Sequence, residues 1–449
     1  MQDAGVHAKA IDVFADFYRQ LADGATGMIA ESDVDPLINI DHAASITVSD
    51  EEARAAAAQT VVIKLNGGLG TSMGLDRAKS LLSVRAGMSF LDVIVDQVRS
   101  VRSTLDVGLP LLFMNSFRTR DDTLAALATY PDLAVDDLPL DFLQSSEPKL
   151  RQDDLTPVDW PADPSLEWCP PGHGDLYTAL DATGILDRLL ERGYRYATVS
   201  NADNLGAAPD PRMMGWFAGT GAPYAAEVCR RAPADVKGGH LVVRRSDGRL
   251  VLRESAQIRP EDVEAASDAT WHQYFHTNNL WFDLRALRTL LTERDGVLGL
   301  PLIRNLKTVD PADPASTPVV QIESAMGAAV EVFDGATAIE VDRSRFLPVK
   351  TTNDLLLLRS DVYGVGTDGV VRAQVQPPLV DLDRRFFTTF ADFEARIPSP
   401  PSLVDARSLT VRGDWRFGRD VVIRGDVTLD DSGDAQSVAA GERLDGRLG

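Results

Sequence analysis

A buried strand that runs straight into a dense glycine loop constrains this chain more than any other feature. Residues 60–65 read TVVIKL, residues 65–74 read LNGGLGTSMG, and Lys79-Ser80 follows. A short apolar run bounded by turn residues marks a strand covered on both faces. The glycines let the backbone after it approach a ligand and aim several N–H groups at phosphate oxygens. A loop in that position lies at the carboxyl edge of a parallel sheet, where open α/β folds bind ligands. Two common phosphate motifs are excluded. A Walker loop needs glycine directly before the lysine, and here Gly74 is followed by LDRA. A dinucleotide fingerprint needs G-x-G-x-x-G, and Gly68-x-Gly70 has three residues before Gly74.

The rest of the chain continues the strand–helix theme. Ile11, Phe14, Tyr18 and Leu21 recur at helical spacing and predict an amphipathic N-terminal helix. Polar and Ala-rich sequence then runs to about residue 57 as helix and linker. Ser89-Phe-Leu-Asp92 has capping-box character, and Phe90, Ile94, Val98 and Val101 carry a helix onward. Apolar runs at 110–114, 197–200, 225–229 and 241–243 alternate with helical patterns such as 186–190, which predicts a parallel sheet with helices on both faces. Near the C-terminus, Val411, Phe417, Ile423 and Leu429 fall six residues apart, as do Trp415, Val421 and Val427, and Asp414, Asp420 and Asp426. That register predicts a short parallel β-helix, with the Pro-rich stretch at 397–402 as the linker near its start.

Composition excludes some partners. The net charge of −22 leaves no clear basic face for binding nucleic acid through its phosphates, although a few local cations suffice for a small anionic substrate. Two cysteines, Cys169 and Cys229, cannot make a disulfide framework and suit a reducing compartment. No signal-peptide pattern and no apolar window near ~18 residues is present, so the expectation is a soluble, cytoplasmic protein away from membranes.

Four further segments carry chemistry. In PPGHGD (170–175), glycines on both sides leave His173 open to a ligand. In SNADNLG (200–206), Asp203 suits either Mg²⁺, which takes one or two protein carboxylates beside substrate phosphates, or an Asx-turn. TNNLW (277–281) offers amides to sugar hydroxyls or to a turn, and RSRFLPVK (343–350) places cations around an apolar knot. No Ser-His-Asp spacing or Cys/His zinc cluster is recognisable. These residues alone describe a phosphate- or nucleotide-binding α/β enzyme.

The same segments, with FMNSFRTRDDT (113–123), ADVKGGHL (234–241) and SRFLPVKTTNDLLLLRSDVY (344–363), resemble the eukaryotic-type UTP–glucose-1-phosphate uridylyltransferases, in order from about residue 55 to 430. The resemblance implies an N-terminal helical segment (1–57) packed on the catalytic domain, a Rossmann-like nucleotidyltransferase domain (58–385) with a mixed, mainly parallel sheet, and a small left-handed C-terminal β-helix (386–449). It implies that Leu65, Asn66, Gly67 and Gly68 lie against uridine and its phosphates, and that Gln144 and Gly172 read the uracil edge. Lys79 would contact the UTP phosphates and Lys350 the phosphate of glucose 1-phosphate. His173 would sit near the phosphates or sugar, Asn201 would face the glucose side, and Asp203 would hold Mg²⁺. Gly238 or Gly239, Glu254 and Asn279 would receive the glucose hydroxyls. The implied reaction makes UDP-glucose and pyrophosphate from UTP and glucose 1-phosphate. Because residues 444–449 (LDGRLG) lack the final apolar strand through which octameric relatives associate, the expectation is a monomer or small homo-oligomer. The chain departs from the family pattern at Arg77-Ala78-Lys79 (Gly-Pro-Lys elsewhere), at Ser146-Glu147, where a basic or aromatic residue is the tendency, and at His276, commonly Asn. The alternatives are a pyrophosphorylase for UDP-N-acetylhexosamine or a broader set of UDP-sugars, and a non-catalytic nucleotide-sugar sensor, which would have lost Lys79, Asp203 or Lys350.

Overall fold

The glycine-loop strand stands in the middle of a ten-stranded mixed sheet. The computed structural model describes residues 1–85, 87–231 and 238–448, so residues 234–237 of the ADVKGGHL motif lie outside the described residues. The strands of this sheet are β1 (Val34–Pro36), β2 (Thr60–Asn66), β3 (Leu111–Asn115), β4 (Asp141–Leu143), β5 (Tyr196–Asn201), β6 (Tyr224–Arg230), β7 (His240–Arg244), β8 (Leu250–Arg253), β9 (Tyr274–Asp283) and β10 (Thr337–Glu340). Strands β4, β3, β2 and β5 are parallel neighbours in that order. Strand β9 then runs antiparallel to both β5 and β6, and β10 lies parallel to β6. The antiparallel β9 interrupts the simple parallel pattern that strand–helix alternation predicts.

Alternate residues of β2 enter opposite cores, as the two-residue period of a strand requires. Val62 joins Val98, Phe113 and Trp281 on one face, while Val61 and Ile63 join Leu112, Leu180 and Leu186 on the other. That double burial explains the apolar residues 61–63, and Lys64, which interrupts the run, is itself buried and donates to Ser200 Oγ at 2.7 Å and the Ala207 carbonyl at 2.8 Å. Helix α1 (Ala8–Ala22) buries Phe17 and Leu21, one turn apart, and its start is capped by the His7 side chain. Helix α2 (Phe90–Leu105) starts at the expected Ser89/Asp92 capping box.

At the C-terminal end, β11 (Leu379–Leu382), β12 (Ser402–Val411), β13 (Val422–Leu429) and β14 (Arg443–Leu448) pair in parallel, in chain order. Leu409 stands beside Val427 and Val411 beside Leu429, an 18-residue step that equals three of the predicted six-residue periods. A second parallel pair joins Trp415–Phe417 to Gln436–Val438. No helix among the described residues is long and apolar enough to cross a membrane.

Candidate active site

The parallel strands end in register, and this brings the predicted motifs together. Leu65 pairs with Asn201 and Asn66 with Asn115, so the loops that follow β2, β3 and β5 open at one edge. They surround a cleft of two lobes. The first, about 300 Å³, is lined by Leu65, Asn66, Gly67, Gly68, Lys79, Gln144 and Gly172. The second, about 380 Å³, is lined by Gly238, Gly239, Glu254, His276, Asn278, Glu323 and Lys350. His173, Asn201 and Asp203 belong to both walls and mark the junction.

In the first lobe the glycines make room for other groups. A Cβ on Gly67 would stand 2.7 Å from Gln144 Oε1, so only glycine lets that amide into the cleft unstrained. Gly172 has φ +78, and a Cβ there would stand 2.6 Å from the Ser324 carbonyl oxygen, which fixed backbone cannot yield. Asn66 is less open than its sequence position suggests: its amide donates to Asn115 Oδ1 at 2.8 Å and Thr123 Oγ1 at 2.9 Å. Beneath Gln144, the Ser145 N–H donates to Asp175 at 2.5 Å. Burial pushes the Asp175 carboxyl up to about 7 and the Glu147 carboxyl, with Asp175 and Glu323 near it, well above the usual range.

At the junction Lys79 Nζ lies 2.7 Å from Asp203 Oδ2 and also donates to the Val349 carbonyl. The Met326 N–H donates to His173 Nδ1 at 2.9 Å, which leaves the ring proton on Nε2. Burial pulls the His173 imidazole down to about 4, so it stays a neutral donor near pH 7. Asp203 is the one carboxylate at the junction, and among the described residues no group of three or more His, Cys, Asp or Glu could hold a metal. This donor set fits a Mg²⁺ ion whose shell is completed by substrate phosphates, and does not fit a resident metal cluster.

In the second lobe the Lys350 ammonium sits over the Phe275 and Phe346 rings, 6.0 and 5.9 Å from their centroids. Burial pushes the Glu254 carboxyl up, with the Lys350 charge opposing. Gly239 is held open toward that carboxylate: a Cβ would meet it at 2.9 Å. Asn279 corrects the sequence reading. It is 2% exposed, and its amide donates to Glu227 Oε2 at 3.1 Å and to the Arg345 carbonyl at 3.1 Å, so it builds the floor and does not line the lobe. Its neighbour Asn278 lines the lobe, with a left-handed φ of 57. The sequence reading also missed Asn305, Glu323 and Ser324, which lie in and just after the strands Ile303–Thr308 and Pro318–Glu323. No glycine or motif marks them, and only the fold brings them to the cleft.

Comparison with known proteins falls in line with this geometry. The UTP–glucose-1-phosphate uridylyltransferase family profile matches residues 11–424. A UTP–glucose-1-phosphate uridylyltransferase of Hordeum vulgare is 41% identical over 374 residues, 82% of this chain and 76% of that protein. A probable enzyme of the same name from Schizosaccharomyces pombe is 40% identical over 373 residues, covering 82% and 72%. The crystal structure of a Leishmania major UDP-glucose pyrophosphorylase variant in complex with UDP-glucose superposes with a TM-score of 0.93 at 41% identity, covering 100% of this chain and 97% of that one. The Trypanosoma brucei UDP-glucose phosphorylase gives 0.91 at 42%, covering 100% and 98%. Sequence, fold and the cleft-forming motifs agree over most of the chain, and the protein belongs to the UTP–glucose-1-phosphate uridylyltransferase family.

Proposed function

We propose that the protein joins UTP and glucose 1-phosphate into UDP-glucose and pyrophosphate, reversibly, with the nucleotide in the first lobe and the sugar phosphate in the second. The observation that carries this reading is the two-lobed cleft whose walls meet at His173, Asn201 and Asp203. Two substrates entering from opposite lobes would bring their phosphates together there. Gln144 and the Gly172 backbone suit the uracil edge, while Asn278, Glu254 and the Gly238-Gly239 backbone suit sugar hydroxyls.

The sugar phosphate oxygen attacks the α-phosphorus in line, and pyrophosphate leaves. A phosphate oxygen is already a nucleophile, so no general base is needed, and catalysis consists of positioning and charge neutralisation. Lys79 serves the UTP phosphates and Lys350 the sugar phosphate. His173 offers a neutral Nε2–H at the junction, a donor that does not depend on protonation. Asp203 would hold Mg²⁺ together with substrate oxygens, and the ion would add to the neutralisation at the reacting phosphates.

The same reading takes residues 386–449 as a left-handed β-helix, after the N-terminal segment (1–57) and the catalytic unit (58–385), with the strand Leu379–Leu382 pairing onto its first strand. It places a monomer or small homo-oligomer in the cytoplasm, a location supported by two buried cysteines and no disulfide framework. The test is pyrophosphate release with Mg²⁺ and UTP, comparing glucose 1-phosphate with its galactose and N-acetylglucosamine counterparts. Release with glucose 1-phosphate alone is expected. Comparable release with all three would assign the broad-specificity reading, and UDP-glucose binding without any release would assign the sensor.

A further inference from the structure

We propose that Glu227, a residue that lines neither lobe, is the positioning residue on which the sugar-phosphate side of the cleft is built. This rests on the uridylyltransferase reading for its kinetic consequence, and on geometry alone for its structural one.

Strands β6 and β9 lose register at Glu227. Ala226 stands opposite Leu280 and Val228 opposite His276, so Thr277, Asn278 and Asn279 all face Glu227. A bulge of this kind re-aims side chains beside a site. Here it throws Asn278 into the left-handed region and toward the second lobe. Glu227 fastens the bulge from behind: its carbonyl accepts from Thr277 Oγ1 at 2.8 Å and its Oε2 from the Asn279 amide at 3.1 Å.

The same carboxylate fastens the lysine loop. Arg345 Nε donates to Oε2 and Nη2 to Oε1, both at 2.8 Å, while Trp281 Nε1 donates to Oε1 at 2.9 Å. A carboxylate has about four acceptor positions, and these four donors fill them, which leaves one arrangement. From Arg345 the order passes forward. Its carbonyl accepts from the Asn204 amide at 3.1 Å, Asn204 Oδ1 accepts from the Leu347 N–H at 2.8 Å, and the Val349 N–H reaches the Asp203 carbonyl at 3.3 Å. The next residue is Lys350. One fully buried carboxylate therefore sets both the amide offered to the sugar and the cation offered to its phosphate. An ion pair serving stability alone would have no reason to span both.

The test uses the full-length Glu227→Gln variant, in which an NH₂ replaces one acceptor oxygen. Hydrogen exchange should speed up at the Leu347 and Val349 amides. The KM for glucose 1-phosphate should rise roughly 10- to 100-fold, the scale for a reacting group displaced by about 1 Å, with the KM for UTP unchanged. In a Lys350→Ala background the part of that rise carried by the lysine should vanish, because the two changes share that contact, and only the part carried by Asn278 should remain. Asn204→Ala, which keeps the Glu227–Arg345 pair and cuts the link to Leu347, should repeat the exchange and KM changes, and it carries the test if Glu227→Gln does not fold. Unchanged exchange at 347–349, an equal rise in both KM values, or the full rise persisting without Lys350 would each overturn the proposal. If the wild-type chain made no UDP-glucose, the catalytic reading would fall while the exchange result still decided the positioning.

Discussion

Gly67→Ala tests the proposed nucleotide-reading contact, because the atoms nearest the added methyl all belong to the end of one flexible side chain. The new Cβ would stand 2.7 Å from Gln144 Oε1 and 3.0 Å from Nε2, and Gly67 has no positive φ to strain. To reach an ordinary contact of ~3.5 Å the amide must retreat by roughly 0.8 Å. That takes a hydrogen bond from ~2.9 Å to ~3.7 Å, beyond the range in which it counts as one. Losing one or two such bonds to a uracil edge costs about 1–3 kcal/mol, or roughly 5- to 150-fold in affinity. The fold should be untouched, since the Gln144 side chain is only partly buried. The assay is pyrophosphate release at saturating glucose 1-phosphate, giving KM for UTP and for CTP, beside urea unfolding. KM for UTP should rise and discrimination against CTP should shrink, with unfolding free energy unchanged. An unaltered KM for UTP would refute the assignment of Gln144 to the base. A large loss of stability would refute the claim that only the amide moves.

Four other outcomes follow from the site. Lys79→Ala and Lys350→Ala should each lower turnover by about 10²–10³, the scale of deleting one electrostatic donor, and pyrophosphate release within a few-fold of wild type would remove that residue from the mechanism. His173, held down at about 4 by burial, should leave no imidazole limb in the rate between roughly pH 5 and 8; a limb near 6.5 that vanishes in His173→Asn would contradict the neutral-donor role. Asp175 is raised from 3.8 to about 7 in the fold, so the folded state binds the extra proton between those values. Stability from this group is present below about pH 4 and lost as pH rises toward 7, with a slope of up to about 1.4 kcal/mol per pH unit, and Asp175→Asn should flatten that part of the urea-unfolding profile. Asn278→Ala should raise KM for glucose 1-phosphate and cost about 1 kcal/mol in unfolding, because alanine tolerates the left-handed backbone at φ 57 less well than asparagine, whereas Asn279→Ala should cost about 1–3 kcal/mol in unfolding by leaving Glu227 short of a donor, with KM for glucose 1-phosphate changed less.

What could be seen in the sequence and what could not divide along a physical line. The β2 strand, its glycine loop and the loops carrying Gln144, His173 and Asp203 were legible because each joins a short apolar run to residues with a strong local meaning. Local chemistry of that kind survives folding, so all these residues line the cleft. The six-residue columns near the C-terminus carried through only in part: the 18-residue step holds where residues 408–411 pair with 426–429, while the pairings on either side step by other lengths. The second lobe was harder to read. Its floor and walls come from β9, which runs antiparallel beside β5, and from Asn305, Glu323 and Ser324, which sit next to no diagnostic neighbour. The Asn278/Asn279 error shows the cause most clearly. In a regular strand, side chains alternate, and a one-residue slip moves every group to the other face. Odd-numbered Phe275 and Trp281 of β9 enter one core, and even-numbered Tyr274, Leu280 and Phe282 enter the other. By that parity Asn279 lies with Trp281, beside Glu227, and two adjacent asparagines give no sign of which one the parity buries. The choice is made by a partner 52 residues earlier in the chain: Glu227 needs a donor on that face, and Asn279 supplies it. The bulge then leaves Asn278 as the residue that can take a left-handed backbone, a conformation asparagine tolerates better than most. The lining of the second lobe is thus a consequence of where a buried charge finds its partners, and motif reading alone cannot recover it.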